Sequence, residues 1–299
     1  MVGVLTHALG FACIIVAGFL LNSLGFISGD ARKVLPEIML KVTLPASIAV
    51  NLNGTALDLP DLYFVVLGAL FNVVALTFAF FYGRSRDESG FAMVNLAGYN
   101  IGCFAMPFIS GMLDQQAMAQ AGLFDMGNSI MCLGVNYAVA SQVERGRGFS
   151  FSYLLNSVLR SVPVATYAVM VVLCLAGLGL PELLMDPLQI AARANPFIAM
   201  MVIGISMGFA SGFEMLPRIA SYCGMRLGLS FVAIALLMAL PIPSASKGVA
   251  VVLCLAPISA VSSVYTRYLN RDAELSACIN SAYVPISIIA MSVAIALLP

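Results

Sequence analysis

Runs of 18 or more predominantly apolar residues recur along the whole of this 299-residue chain, and nothing else in it constrains the fold as strongly. Each run is long enough to cross ~30 Å of hydrocarbon as a helix. Within lipid a spanning segment has to satisfy its own N–H and C=O groups, so isolated runs of this kind read as helices. Composition agrees, with 61% of residues apolar and 9% charged, where soluble domains carry about 25% charge. The expectation is an all-α polytopic membrane protein with no separate soluble domain. Ten spans can be placed, at about 5–26, 34–53, 61–83, 91–111, 117–140, 158–178, 188–210, 218–240, 248–268 and 274–298. Turn residues mark the short connections, among them Ser28-Gly29-Asp30, Asp58-Leu59-Pro60, Pro181, Pro241-Ile242-Pro243 and Asn270-Arg271-Asp272,.

Cations set the predicted orientation. Loops after odd-numbered spans carry Arg32 and Lys33, Arg84 and Arg86, Arg145 and Arg147, Arg218, and Arg267 with Arg271. Loops after even-numbered spans carry Asp58, Asp114 or Lys247, and Lys41 and Arg193 fall inside spans. The odd loops are therefore expected in the cytoplasm, with both termini on the extracytoplasmic side of the cell inner (plasma) membrane. The N-terminus lacks a basic stretch ahead of its first apolar run, which reads as a retained helix,. Five spans precede the central segment and five follow it, so the halves would insert with opposite orientation. This divides the chain into a first five-helix repeat (1–140), a cytoplasmic linker (141–150) and a second, inverted repeat (151–299). Shared landmarks support the pairing: Leu24-Gly25-Phe26 leads to Pro45 and Leu178-Gly179-Leu180 to Pro196, while Asn128 and Asn280 occupy matching places.

Formal charge is zero, so net charge points to no nucleic-acid partner,. The seven cysteines form no CxxC pair and lie in apolar stretches, as small buried hydrophobes do,. No HExxH, GxSxG, phosphate loop or metal-spaced cluster is present, and the lone His7 leaves little from which to build a hydrolase,. The reading is of a non-enzyme without a metal or organic cofactor.

Residues 95–110, NLAGYNIGCFAMPFIS, cannot run straight through a bilayer, because Gly98, Gly102 and Pro107 sit inside the run with Asn100 where the backbone would open. Residues 253–263, LCLAPISAVSS, place Pro257 correspondingly in the other half. Interrupted apolar segments in two halves of a chain point to a carrier's binding site. Broken backbone survives at membrane depth only when buried in protein or lining a cavity. Half-helices beginning near Asn100 and after Pro257 would aim N-terminal amides, with partial positive charge, at one another. The alternative is that these residues merely kink helices for packing. Candidate substrate contacts are Tyr99, Asn100, Ile101, Gly102, Pro257, Ile258 and Ser259, with Ser262 and Ser263 nearby. Asn128 and Asn280 either line the cavity or tie their helices to the broken ones. Asp125, an acid inside a span, is either a site for a driving proton or a charge paired with a cation or facing water,.

Asn100-Ile-Gly-Cys-Phe-Ala-Met-Pro107, Ala256-Pro257 and Tyr265-Thr-Arg-Tyr-Leu-Asn-Arg-Asp-Ala-Glu274 resemble patterns of the auxin efflux carrier (AEC) family. Gly18-Phe19, Leu24-Gly25 and Leu44-Pro45 fit as well, and the likeness covers essentially the whole chain in span order. It implies a ten-span inverted repeat with crossing, broken spans 4 and 9. A transport domain (spans 3–5 and 8–10) would move against a scaffold (spans 1, 2, 6 and 7), often in a homodimer. Asn100 would take the family's substrate-contacting asparagine and Pro257 its crossover proline. Tyr99 departs from the plant branch, which has proline there, as does Ala105, where that branch has glycine. The missing long cytoplasmic loop favours the bacterial malonate/malate-permease-like branch. The expected activity is elevator-type transport of a small organic anion, a carboxylate, with coupling to H+ ahead of Na+. A sodium-coupled symporter of the bile-acid type and a non-transporting membrane scaffold or sensor are the alternatives.

Overall fold

Proline and glycine decide where these helices can be regular. In the computed structural model, which describes residues 2–27, 31–54, 59–110, 112–145, 162–207 and 213–297, every long element is helical. Helix α1 spans Val2–Ser23; α2 (Ala31–Ile38) runs through a π turn, Met39–Thr43, into α3 (Leu44–Leu52). Pro45 has no N–H to offer the preceding turn, and the widened turn answers this, the Leu44 N–H reaching back to the Met39 carbonyl,. Then come α4 (Tyr63–Tyr82), α5 (Arg86–Leu96), the single turn α6 (Met106–Ile109), α7 (Gln115–Ile130) and α8 (Asn136–Arg145). Beyond them lie α9 (Val162–Leu175), α10 (Glu182–Ser206), α11 (Leu216–Ala239), α12 (Ser244–Cys254), α13 (Ser262–Tyr268) and α14 (Ala273–Ala296). Side-chain caps fix three starts: Ser85 accepts from the Glu88 N–H, Asp114 from Ala117 and Asp272 from Leu275,.

The ten spans expected from hydropathy require correction. Among the described residues five helices are long and apolar enough to cross a membrane: Val34–Leu52, Tyr63–Tyr82, Glu182–Ser206, Leu216–Ala239 and Ala273–Ala296. Leu9–Ser23, Val162–Leu175 and Ser244–Cys254 are apolar but shorter. The physical reasons differ from place to place. Stretches 91–111 and 248–268 lose their helix partway along. Stretch 117–140 is interrupted by a π turn at Met131–Val135 and carries Gln120, Asp125, Asn128 and Asn136. Stretch 158–178 is described only from Val162. With ten spans goes the five-plus-five inverted repeat that was counted from them. Residues 146–150 of the expected linker, Ser28-Gly29-Asp30 and Asp58 lie outside the described residues, as does the side chain of His7. The chain is a helical, multi-pass membrane protein. Its outward face carries Val16, Leu20, Val66, Phe81, Val172, Ile190, Phe231 and Ile289, the apolar exterior that lipid requires.

The helices pack as two groups. In one, α1 lies on α10, α10 on α3, and α3 on α9. In the other, α4 packs on α7 and α5, α5 on α8 and α13, and α14 on α11, α12 and α13. Each group holds one seam with no room for a side chain. A Cβ on Gly68 or Gly127 would strike the facing backbone of α7 or α4, and one on Gly18 or Gly204 the facing backbone of α10 or α1. Such close approach is how helices associate in lipid. The groups meet where α7 faces α3 and α9, and where the Phe11 ring lies 5.9 Å from that of Phe108. On the polar margin of the second group, Arg271 pairs with Asp87 and with Glu144, the latter at 3.1 Å.

Candidate functional site

α5 stops at Leu96, and Ala97–Asn100 are not helical; a π turn (Ile101–Ala105) and α6 resume the helix. Opposite, α12 stops at Cys254, and Leu255–Val261 separate it from α13. The two interruptions cross. Tyr99 and Ile258 form an antiparallel bridge, and the Asn100 N–H donates to the Pro257 carbonyl at 2.8 Å. Each opened backbone thus satisfies part of the other. Gly98 makes the turn possible, with φ at +91°; a Cβ there would sit 2.7 Å from the Cys132 Sγ and 3.2 Å from the Ser259 Cβ,. Pro107 lies a turn beyond the break, in α6. The Met106 N–H reaches back to the Ile101 carbonyl, as at Pro45.

Buried side chains hold these ends. Asn128 grips the Tyr99 peptide from both sides, accepting from its N–H at 3.0 Å and donating to its carbonyl at 2.8 Å. Asn72 donates to the Asn128 carbonyl oxygen at 3.1 Å and accepts from Asn136 at 3.1 Å. Asn280 ties the other interruption, donating to the Ser259 carbonyl at 3.3 Å and the Ser262 hydroxyl at 2.9 Å. The two matching asparagines therefore do the same work on opposite strands, and both also line the cavity described next. Beneath the second break, Ser276 donates to the Asn95 carbonyl oxygen, while the Asn95 amide donates to Thr266 at 3.0 Å.

A cavity of about 660 Å³ lies between the two helix groups, with the crossing at its wall. Tyr99, Asn100, Ile101, Gly102, Ile258 and Ser259 line it from the crossing, Ser263 from the first turn of α13, and Met39, Leu44, Val202 and Ile205 face them from the first group. The Asn100 side chain is not spent on capping the helix that follows it. Gly98, Pro107 and Pro257 are outside the lining: they shape the backbone. Lys41 pairs at 2.9 Å with Glu37 on an exposed face, and Arg193 is exposed, so neither reaches the cavity.

Asp125 is buried in the cavity wall and pairs with donors rather than with a cation. Its Oδ1 accepts from Asn128 at 3.0 Å, its Oδ2 from the Tyr167 hydroxyl at 2.8 Å, and the Gly102 N–H also points to it. The first amides of a helical segment lack intrahelical acceptors, so a carboxylate of the protein already rests on the end of the half-helix. Because Tyr167 stands on α9 and Asp125 on α7, their hydrogen bond bridges the two groups.

Tyr167, Asn72 and Arg226 escape the sequence reading. Arg226, on α11, is fully buried; its Nη1 donates to the Leu96 carbonyl at 2.8 Å, and its guanidinium lies 3.9 Å from the Tyr99 ring centroid. An arginine eight residues past Arg218, inside an apolar run, is a signal the sequence does carry,. Asn72 and Tyr167 find their partners 56 and 42 residues away, and spacing does not reveal them.

No family model matches the chain. It is similar to the uncharacterized transporter MJ1031 of Methanocaldococcus jannaschii, at 21% identity over 206 residues, covering 65% of this chain and 66% of that relative. The chain therefore matches just under two thirds of the relative's own length. The molecule is a helical membrane-embedded protein with a transporter among its distant relatives.

Proposed function

We propose that the protein is a secondary carrier for a small organic anion, a carboxylate, and that it belongs with the bacterial malonate/malate-permease-like branch its motifs resemble. The observation that carries this reading is the crossing of two opened backbones at the wall of a 660 Å³ cavity that lies between two helix groups. Irregular backbone at membrane depth is tolerated where it is buried in protein or lines a cavity, and here the openings satisfy each other and line one. The cavity is mostly apolar with a few placed polar groups, the usual composition of a small-molecule site. Asn100 offers its amide and Ser259 its hydroxyl to the guest. Residues 59–145 and 213–297 would be the moving part and residues 2–54 and 162–207 the scaffold, with elevator-type displacement along the mostly apolar boundary between them, which the Tyr167–Asp125 hydrogen bond crosses. The protein would perform no chemical conversion.

Asp125 is the residue proposed to couple a proton. Its surroundings argue against the sodium-coupled alternative. Asp125 stands beside the crossing, as a sodium site would ask, but Asn128, Tyr167 and Gly102 all present donors to it. A sodium ion requires converging oxygen acceptors, which donors aimed at the carboxylate do not supply. A non-transporting scaffold has no use for a cavity lined by Asn100, Asp125 and Asn280.

A thermal-shift screen of the purified protein against C3–C6 mono- and dicarboxylates tests the reading, since a specific ligand stabilises the folded state. A stabilising anion is expected, and it should no longer stabilise Asn100→Ala or be taken up by that variant in proteoliposomes, although the variant folds normally. Unchanged uptake by Asn100→Ala would remove that residue from the site.

A further inference from the structure

Arg226 is a buried charge that nothing so far explains. Among the described residues no carboxylate pairs with it, and its Nε and Nη2 have no hydrogen-bond partner. What meets it is the Leu96 carbonyl, at the partially negative end of α5, and the face of Tyr99, with Cys254 and Tyr283 also within its electrostatic reach. An unpaired cation inside a membrane protein is expensive and marks a working site. If it served only to cap α5, a neutral donor would do so without the cost of burying a charge. Tyr99 also lines the cavity, so the guanidinium stands directly behind the cavity wall. Through so little polarisable material its field reaches the guest far more strongly than through water.

We propose that Arg226 is the fixed positive charge of the site, and that through it the cavity accepts one negative charge together with one proton on Asp125. This rests on the anion-carrier reading above. The charge count is the reason. Empty, the wall holds ionised Asp125 and Arg226 and is neutral. An anion entering that wall would meet the Asp125 carboxylate; once the carboxyl is protonated, anion and guanidinium balance again. Both states that must cross the apolar boundary are then neutral, and the guest's charge is carried with a proton. The groups facing Asp125 fit this count, because none brings a second charge: Tyr167 from α9, Cys103 from the π turn, and Asn128, Ser129 and Cys132 from its own side. Arg267 also lines the cavity, but it is exposed, and water and salt screen it. Arg226 acts through Tyr99 and is a positioning residue.

Cys103 lines the cavity and is partly exposed, which gives the field a reporter. In the full-length chain with the other six cysteines replaced, the rates at which an anionic and a cationic methanethiosulfonate modify Cys103 are each normalised to free cysteine. With Asp125→Asn, which silences the acid, the anionic reagent should be favoured. Adding Arg226→Gln, which keeps a donor for the Leu96 carbonyl but no charge, should slow the anionic reagent and speed the cationic one, each on the order of tenfold, the effect of a unit charge ~10 Å away at an effective dielectric of ~20, so that the preference falls on the order of a hundredfold. Arg226→Lys should retain it, although lysine loses the flat stacking on Tyr99. No anionic preference in Asp125→Asn overturns the proposal, as does equal loss in the Lys and Gln variants. Absence of reaction with either reagent would show the cavity closed to ions and would overturn it too. Since labelling needs no substrate, a correct field combined with no stabilising carboxylate would sink the carrier reading and leave Arg226 as the cavity's charge.

Discussion

Substituting Gly98 by alanine tests whether the crossing depends on the geometry described. The residue sits at φ +91°, and an added Cβ would come within 2.7 Å of the Cys132 Sγ, 3.2 Å of the Ser259 Cβ and 3.5 Å of the Asn136 Nδ2. The backbone conformation alone costs a residue with a Cβ ~1–3 kcal/mol. Overpacking against neighbours that are themselves bonded adds ~1–3 kcal/mol. Gly98→Ala should therefore lose ~2–6 kcal/mol, a fall of roughly 3–10 °C in thermal midpoint for a chain of this size. Thermal unfolding in detergent, followed by far-ultraviolet circular dichroism, measures it. The double variant with Cys132→Ala separates the two contributions: it removes the closest contact but leaves the backbone strain and the Ser259 contact. It should regain about half of the loss, after subtracting the single Cys132→Ala effect in a double-mutant cycle. A Gly98→Ala midpoint within about 1 °C of the parent, where ~3–10 °C is expected, would refute the reasoning. Full recovery in the double variant would refute the strain half of it.

Three more expectations concern the charges. Asp125→Asn should leave anion uptake indifferent to a pH gradient, and a response like the parent's would eliminate Asp125 as the coupling group. Tyr167→Phe removes a hydroxyl bonded at 2.8 Å to a buried carboxylate, so stability should fall by ~1.5–3 kcal/mol; no loss on thermal unfolding would mean that the bond does not bridge the groups in solution. Arg271→Ala breaks pairs with Asp87 and Glu144 that are partly open to solvent. It should cost under ~1 kcal/mol per pair, and the difference from the parent should shrink in high salt.

What could be read from the sequence was local. Gly98, Pro107 and Pro257 announce trouble for a helix wherever they stand, because each alters its own backbone. That the openings at 97–100 and 255–261 would pair with one another is a contact across more than 150 residues, and no local pattern contains it. The span count failed for a related reason. Hydropathy averages over a window, so it passes stretches that prolines or amides cut into pieces too short to cross on their own, such as α12 with 11 residues. Asn128 and Asn280 stood out as a matched pair, but whether they line the cavity or hold a strand depends on what faces them. Arg226 is legible as a charge in an apolar run, while Tyr167 looks like any aromatic residue in one.

The seams at Gly68 with Gly127 and at Gly18 with Gly204 behave as welds. Where backbone rests on backbone there is no flexible side chain to yield, and shear between those helices would break packing outright. In the carrier proposed above, displacement would concentrate where rings and methyl groups face each other, making the boundary beside Phe11, Phe108 and the cavity the slip plane, and a sliding step would also have to break the Tyr167–Asp125 hydrogen bond. Bulk added at a weld should split a helix pair, whereas bulk added on the slip plane should only jam it.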